Sequence, residues 1–285
     1  MTPSVRLLLA CLSWLLLLAW PLTAAAADVL EFGVLNQRSA QLTAQYWNPI
    51  LAYVGDKSGV PLHLKMGRTA PETTAMTVRG DFDFVLTNHL FTPRRVRLGY
   101  RVIARPDNAG IQGAIVVPEA SNVKTLADLA GKEVGFPSPE AFVGYWLTMD
   151  ALKQAKVEVI PVFGANQEGT MGQFKAGRVA AASVNAKIME NYARREDIRY
   201  RTIWRSEVYQ DLAVMANSRV PAATVEAVRN ALVGMARDEE GRKILRAGAE
   251  LLKLDGAPGF VAADDQDYEN YRRFYRNTVL PLGDE

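Results

Sequence analysis

Short apolar strands alternate with amphipathic helices along this 285-residue sequence, and the alternation restricts the possible folds more than any other feature. Apolar runs predict strands over residues 29–35, 60–65 and 82–86. Apolar residues at helical spacing predict helices over residues 44–54 and 69–79. Strands that alternate with helices favour a parallel sheet with helices packed on its faces. We therefore predict an α/β fold.

The alternation breaks at a polar, glycine-containing segment, residues 106–110, and then begins again. This segment is a candidate crossing between two α/β units. A strand predicted over residues 212–216 suggests a second crossing, in the return direction. The second unit lies between the two crossings. We predict its strands over residues 113–117, 133–136, 157–162, 179–184 and 199–204, with helices over residues 143–153, 168–175 and 187–192.

The first 27 residues resemble an export signal. Arg6 is the only charged residue before Asp28, and an apolar run is followed by four alanines, Ala24 to Ala27. This pattern is typical of a secretory signal peptide cleaved near Ala27. A membrane anchor is the alternative, because a run of this length could just span a bilayer. We predict a signal peptide over residues 1–27 and a protein in the periplasm.

Composition excludes several classes of protein. Cys11 is the only cysteine, so the chain that remains after cleavage would have no disulfide, thiol nucleophile or cysteine-ligated metal. A formal net charge of +2 gives no basic face suited to nucleic acid. The two histidines, His63 and His89, are far apart and have no clustered partner, so we predict no metal site and no cofactor. We expect a monomer.

Five segments resemble, in order, landmarks of the phosphonate/phosphite-binding family of ABC-transporter components. Residues 30–65 look like the family's first strand, helix and second strand. The others are GDFDFVLTNHLF (80–91), NVKTLADLAGKEVGFPSPEAFVGY (122–145), GRVAAASVNAKIMENY (177–192) and RTIWRSEVYQDLAVMAN (201–217). The resemblance covers nearly all of the chain after residue 28.

This resemblance implies the two-lobed fold of a type II periplasmic binding protein, each lobe a mostly parallel sheet flanked by helices. Lobe 1 would comprise residues 28–108 and 212–260, lobe 2 residues 109–211, and residues 261–285 a C-terminal helix and tail. Two crossing segments would act as a hinge, and a small ligand would lie in the cleft between the lobes. An ABC permease would then be the partner.

The sequence departs from the family where lobe 2 begins. The family has a run of small hydroxyl residues, Ser-Thr-Ser-Gly, that grips the phosphonate head group, whereas this chain has Ser138-Pro139-Glu140-Ala141-Phe142. We interpret Ser138 as a helix N-cap that places Glu140 in the first helical turn. A carboxylate there would repel an oxyanion. Either Glu140 points away from the cleft, or Phe142 and Tyr145 adapt the site to a different small solute.

Polar residues at strand ends and helix starts are the candidate ligand contacts, with solvated turns and helix caps as their alternative roles. In lobe 1 they are Asn36, Gln37, Arg38, Ser39, Thr87, Asn88 and His89. In lobe 2 and the return crossing they are Ser138, Glu140, Phe142, Tyr145, Asn166, Gln167, Asn185, Ser206 and Tyr209.

Two other roles are alternatives to transport. An enzyme is disfavoured because the sequence has no Gly-x-Ser-x-Gly motif, no P-loop and no nucleophilic cysteine. We therefore predict no catalytic residues. A sensor subunit would use the same cleft to report its ligand to a membrane histidine kinase or receptor. The sequence does not distinguish a sensor from a transport component.

Overall fold

The structure of the protein is a computed structural model that describes residues 28–282. The predicted signal peptide, residues 1–27, lies outside the described residues. The strands are β1 Leu30–Val34, β2 Leu62–Lys65, β3 Phe84–Thr87, β4 Tyr100–Pro106, β5 Gly113–Pro118, β6 Glu133–Phe136, β7 Ile160–Phe163, β8 Ala181–Asn185, β9 Tyr200–Arg205, β10 Ala213–Asn217 and β11 Phe260–Ala262.

The helices pack against these strands, and most lie where the sequence predicts them. They are α1 Ala40–Ser58, α2 Ala70–Arg79, α3 Leu147–Gln154, α4 Gln167–Lys175, α5 Ala186–Glu196, α6 Ala222–Gly234, α7 Glu239–Leu252 and α8 Glu269–Asn277. A π-helical turn, Phe142–Trp146, leads into α3. Helix α2 begins after its N-cap Thr69 and ends at Gly80, where the backbone turns left-handed at φ +80°.

Two separate sheets divide the described chain, as the restart of the alternation predicts. The first has the order β11-β4-β10-β3-β1-β2, and the second has the order β7-β6-β8-β5-β9. Strands of residues 30–106 and 213–262 form the first sheet, and those of residues 113–205 form the second. A two-lobed α/β fold is therefore present, while the residue boundaries given above for the lobes stay a prediction.

The sheets are mixed, which corrects the expectation that each would be mostly parallel. Strand β1 pairs in parallel with β2 and β3, and β6 pairs in parallel with β7 and β8. The remaining pairings, β3-β10, β10-β4, β4-β11, β8-β5 and β5-β9, are antiparallel. The reason is that the chain leaves the first sheet from β4 and returns to it through β10, so the strands flanking the crossings run in opposite directions.

The two crossings lie side by side between the sheets. Ile111 and Tyr209 exchange backbone hydrogen bonds of 2.7 and 2.8 Å, and Ser206 Oγ accepts one from the Gly113 N–H at 2.9 Å. Gly110 has φ +85°, and a Cβ atom there would lie 2.3 Å from the Tyr209 carbonyl oxygen. Only glycine fits this position, which allows the crossings to approach so closely.

The C-terminal segment, residues 260–282, adds a strand to the first sheet and then packs against lobe 2. Strand β11 was not predicted because it has only three residues and follows a glycine; it joins the edge of the first sheet beside β4. Helix α8 packs its Tyr275 ring against Trp146, at a centroid distance of 5.4 Å. The Asp150 carboxylate, in α3, accepts hydrogen bonds from Thr278 Oγ1 at 2.6 Å and from the Val279 N–H at 2.9 Å.

Candidate functional site

A small cavity of about 30 Å³ lies where the ends of strands from the two lobes meet. Side chains of both sheets' loops line it, together with the apolar residues Ile111 and Leu212 of the crossings. Six of the sixteen predicted contact residues come together here: Asn36, Gln37, Asn88, His89, Ser138 and Gln167. None of the described residues that line this cavity is Asp, Glu, Lys or Arg.

The lobe 1 wall of this cavity is held rigidly by hydrogen bonds. The Asn36 side chain donates to the Gly67 carbonyl oxygen at 2.8 Å and accepts from Thr73 Oγ1 at 2.5 Å. The Asn88 amide lies 3.4 Å from the Tyr271 hydroxyl oxygen. These bonds use most of the hydrogen-bonding capacity of the Asn36 amide, which is therefore fixed polar surface, whereas the Asn88 amide keeps capacity for further partners.

His89 is a neutral imidazole within this wall. Its Nδ1 lies 2.8 Å from Thr74 Oγ1, and its ring is buried. Burial, together with the positive charge of Arg95, lowers the pKa of His89 to about 3. Because a buried imidazolium would lack a compensating anion here, His89 is uncharged at neutral pH.

The lobe 2 wall carries an unpaired hydroxyl. Ser138 is 1 % exposed, and its Oγ has no hydrogen-bond partner among the described residues. Gln167 lines the same wall. The Gln167 Oε1 accepts a 2.9 Å hydrogen bond from the Asn185 N–H, which fixes the direction of the side-chain amide. A buried hydroxyl without a partner loses free energy, which makes Ser138 the most incomplete polar group of the cavity.

The start of the lobe 2 helix corrects our reading of Ser138 as an N-cap. The helix begins with the π-helical turn at Phe142, its N-cap is Ala141, and Ser138 and Glu140 lie in the preceding turn. The Ala141 N–H donates to the Ser138 carbonyl oxygen at 3.2 Å, so residues 138–141 form a separate turn and the helix starts after it. Glu140 is half-buried and lines neither this cavity nor the large cleft described below. Its Oε2 is buried without a hydrogen-bond partner among the described residues, so the carboxylate faces the protein interior outside these two cavities.

Phe142 and Tyr145 do not lie on the cavity, contrary to the hypothesis that they reshape the site. Phe142 is 1 % exposed and packs against the rings of Tyr209 and Tyr271, at centroid distances of 4.8 and 4.1 Å. Tyr145 packs on Phe136 at 5.3 Å. Phe142 belongs to the core where the return crossing and helix α8 meet, and Tyr145 is partly buried against the lobe 2 rings of Phe136 and Phe163.

Five further candidates occupy structural positions outside the cavities. Ser39 and Asn166 are the N-caps of α1 and α4, and Thr87 Oγ1 accepts from the His89 N–H at 3.1 Å. Ser206 holds the crossings together, and the Tyr209 hydroxyl donates to Glu207 Oε1 at 2.7 Å. Burial and this carboxylate raise the pKa of Tyr209. Helix capping, the turn hydrogen bond of Thr87 and packing at the crossings account for these five side chains.

A second, much larger cavity of about 760 Å³ lies between the lobes beside the crossings. Three candidates line it, Gln37, Arg38 and Asn185. Asn185 caps α5 by accepting from the N–H groups of Lys187 and Ile188. Residues 254–260 and Asp211 also line this large cleft, and the sequence pattern did not single them out because they come from a loop and from the apolar strand entry at residue 212.

Arg38 is one of the charged residues that line the large cleft. It is half-buried, and among residues 28–282 it forms no hydrogen bond or ion pair. Burial lowers its pKa, although Tyr46 and Asp211 nearby act in the opposite direction. Guanidinium groups stay protonated in proteins, so Arg38 is a cation facing a cavity.

Direct contacts hold the two lobes together across the cleft. The Glu168 carboxylate, in lobe 2, accepts from the Ser39 N–H at 2.6 Å, and its backbone N–H donates to the Gln37 carbonyl oxygen at 3.1 Å. At another place Asp255 forms ion pairs with Lys187 and Arg194. The structure is therefore that of a closed, two-lobed molecule.

Within residues 28–282, the His, Cys, Asp and Glu side chains form no group of three or more that could hold a metal ion. Among the helices of the same residues, none combines the length and apolar character that a membrane span needs.

Three solved structures are examples of other proteins that share the fold of this chain. A binding protein component of an ABC phosphonate transporter from Pseudomonas aeruginosa is 16% identical, with a TM-score of 0.72 over 87% of this chain and 85% of that one. PhnD1 from Prochlorococcus marinus in complex with methylphosphonate is 18% identical, with a TM-score of 0.71 over 87% and 97%. The alkanesulfonate-binding protein SsuA from Xanthomonas axonopodis pv. citri bound to MOPS is 15% identical, with a TM-score of 0.61 over 90% and 96%.

Comparison of the sequence with known protein families finds one family that matches this chain. No curated protein sequence matches the chain. Residues 32–268 match the family described as ABC transporter, phosphonate, periplasmic substrate-binding protein. That match spans both sheets and both walls of the small cavity. The chain therefore belongs to the family of periplasmic substrate-binding proteins of ABC phosphonate transporters.

Proposed function

We propose that the protein captures a small phosphonate in the small cavity between its lobes and delivers it to an ABC permease. The observation that carries this proposal is the buried Ser138 Oγ without a partner, opposite the fixed polar side chains of lobe 1. Ser138 is also the one hydroxyl that this chain retains where the family has several. A phosphonate oxygen would supply the missing hydrogen-bond partner.

The neutral lining favours recognition by hydrogen bonds over recognition by ion pairs. N–H and O–H groups bind an ionised oxygen more strongly than a neutral one. The cavity contains no carboxylate that would repel an oxyanion, since Glu140 lies outside it. Burial of a doubly charged group without a counter-charge costs more free energy than burial of a singly charged group, so we infer a preference for the phosphonate monoanion.

The closed lobes leave little room in this cavity. A volume of about 30 Å³ is comparable with that of one or two water molecules. Entry of a phosphonate therefore requires the lobes to separate. Within residues 28–282, two backbone segments link a strand of one sheet to a strand of the other, and rotation about two such segments is the hinge motion of periplasmic binding proteins.

Titration calorimetry with methylphosphonate, phosphite and phosphate tests the site. We expect methylphosphonate to bind, and Ser138→Ala to weaken it on the order of tenfold, since a hydrogen bond to a charged group contributes about 1.5–3 kcal/mol. Glu140→Ser is the matched control two residues away, and it should leave the affinity within about twofold because Glu140 does not line the cavity. Equal affinities for wild type and Ser138→Ala would place the ligand elsewhere.

The proposal also covers the export of the protein and its oligomeric state. We propose that the signal peptide is cleaved near Ala27 and that the mature protein is a soluble monomer of the periplasm. N-terminal sequencing of exported protein should begin near Asp28, whereas a retained leader or a lipid on Cys11 would contradict this. The family supports the permease as partner, and nothing in the comparisons supports the sensor role.

A further inference from the structure

The large cleft and the small cavity are adjoining parts of one interlobe space. Gln37, Ile111 and Leu212 line both of them. With the lobes closed, the small cavity holds about 30 Å³ and the large cleft about 760 Å³. Sites for small organic molecules usually measure about 300–1,000 Å³. Closure therefore leaves a space that a one-carbon phosphonate would not fill.

The wall of the large cleft is mainly apolar on the lobe 1 side. Trp47 of helix α1, Leu252 and Leu254 at the end of α7, and Phe260 of β11 all line it. Burial of apolar surface against such a wall stabilises a ligand by about 0.8 kcal/mol for each methylene group, which is about fourfold in affinity. The wall thus suits an aliphatic or aromatic body.

Arg38 adds one available positive charge to this wall. The carboxylates nearest to it in the fold already have other partners. Asp211 Oδ2 accepts from the Asn108 amide at 2.7 Å, and Glu168 accepts from the Ser39 N–H and from Arg195. Arg38 itself has no hydrogen-bond or ion-pair partner among residues 28–282. An acidic group of a ligand would supply the pair that the protein lacks.

We propose that the solute is an extended phosphonate that carries a second acidic group. Its phosphonate head lies in the small cavity, its apolar body passes Gln37 and Leu212 into the large cleft, and its far acidic group pairs with the Arg38 guanidinium. This inference rests on the proposed function, because the head-group position comes from it. It adds the class of substituent that the site selects.

The alternative far end is a positive group directed at Asp211. Burial raises the pKa of Asp211, which makes its negative charge less available, and Asn108 and the Leu212 N–H occupy its oxygens. Asp107 also lines the large cleft, but it is exposed to solvent, whereas Arg38 is half-buried and lacks such partners. The geometry therefore favours an acidic end over an amino end, and probes of both kinds separate the two.

Four phosphonates test the proposal by titration calorimetry on the full mature protein. Methylphosphonate reports the head-group site alone. Butylphosphonate, 4-phosphonobutanoate and 3-aminopropylphosphonate have chains of similar length that end in a methyl, a carboxylate and an ammonium group. We expect butylphosphonate to bind at least tenfold more tightly than methylphosphonate, and the carboxylate to add about another tenfold. The ammonium end should bind more weakly than the methyl end.

Two variants test whether Arg38 causes the tighter binding of the carboxylate probe. In Arg38→Gln, 4-phosphonobutanoate should lose its advantage over butylphosphonate. The exposed Arg101→Gln, which removes an arginine of β4 outside both cavities, should retain that advantage. Tightest binding by the ammonium probe, or an advantage that survives in Arg38→Gln, would overturn the proposal.

The same titrations separate this inference from the proposed function. If methylphosphonate binds and longer chains bind no more tightly, the large cleft is only solvent-filled, and the inference fails while the function stands. If no phosphonate binds, the proposed function itself fails.

Discussion

Replacement of Phe142 by alanine is expected to lower the free energy of unfolding by about 3–5 kcal/mol, the usual range for a buried phenylalanine. Phe142 is 1 % exposed, and its ring lies 4.1 Å from Tyr271, 5.3 Å from Phe274 and 5.6 Å from Tyr275, measured between centroids. The substitution removes a ring at the point where the lobe 2 helix, the return crossing and helix α8 meet. The resulting cavity cannot collapse without moving all three.

Urea unfolding of the purified protein measures this loss. Phe163→Ala is the matched control in the same lobe, because Phe163 is 41 % exposed and should cost about 1 kcal/mol or less. A loss below about 1 kcal/mol for Phe142→Ala would show that the aromatic cluster is not a core. A ligand-contact role would instead change affinity and leave the stability nearly constant.

Acidification is expected to destabilise the protein through His89. The folded-state pKa is about 3 and the ordinary value is 6.5, so the unfolded chain takes up a proton in this range that the folded protein does not. The stabilisation is complete above pH 6.5 and is lost as the pH falls toward about 3. The loss is about 1.4 kcal/mol for each pH unit, or about 5 kcal/mol in total between the two pKa values.

The free energy of unfolding, measured in urea at several pH values within this range, checks the prediction. His89→Gln should lack this part of the acid response and so lose less stability than wild type on acidification, although it is less stable at neutral pH. His63→Gln, which replaces the other histidine at a position that is 64 % exposed, is the matched control for the substitution. Parallel pH profiles for wild type and His89→Gln would contradict the burial of a neutral imidazole.

The sequence predicts most of the fold because its signals are local. Strand Glu133–Phe136 and the glycine end of helix α2 lie where the pattern places them, since apolar runs and a left-handed glycine act within a few residues. The pairing of the strands was less predictable. Antiparallel neighbours of β4 and β10 arise from the path of the chain between the lobes, which no local pattern contains.

The candidate site could be predicted only in part for the same reason. Polar residues after strands, such as Asn36, Asn88 and Gln167, come together because strand ends meet at one edge of each sheet. Phe142 was misread because an apolar residue after a turn can face a cleft or a core with the same local pattern. Asp211 and the 254–260 segment reach the large cleft through long-range packing, so no local pattern marks them as cleft residues.

A crystal structure of the protein grown with methylphosphonate tests the central claim most directly. The account predicts a phosphonate between the two lobes, with an oxygen within hydrogen-bond distance of Ser138 Oγ and of the Gln167 amide, and Phe142 buried away from it. A phosphonate bound only outside the interlobe space, or a structure in which Ser138 Oγ stays without a partner while the ligand occupies another position, would contradict it.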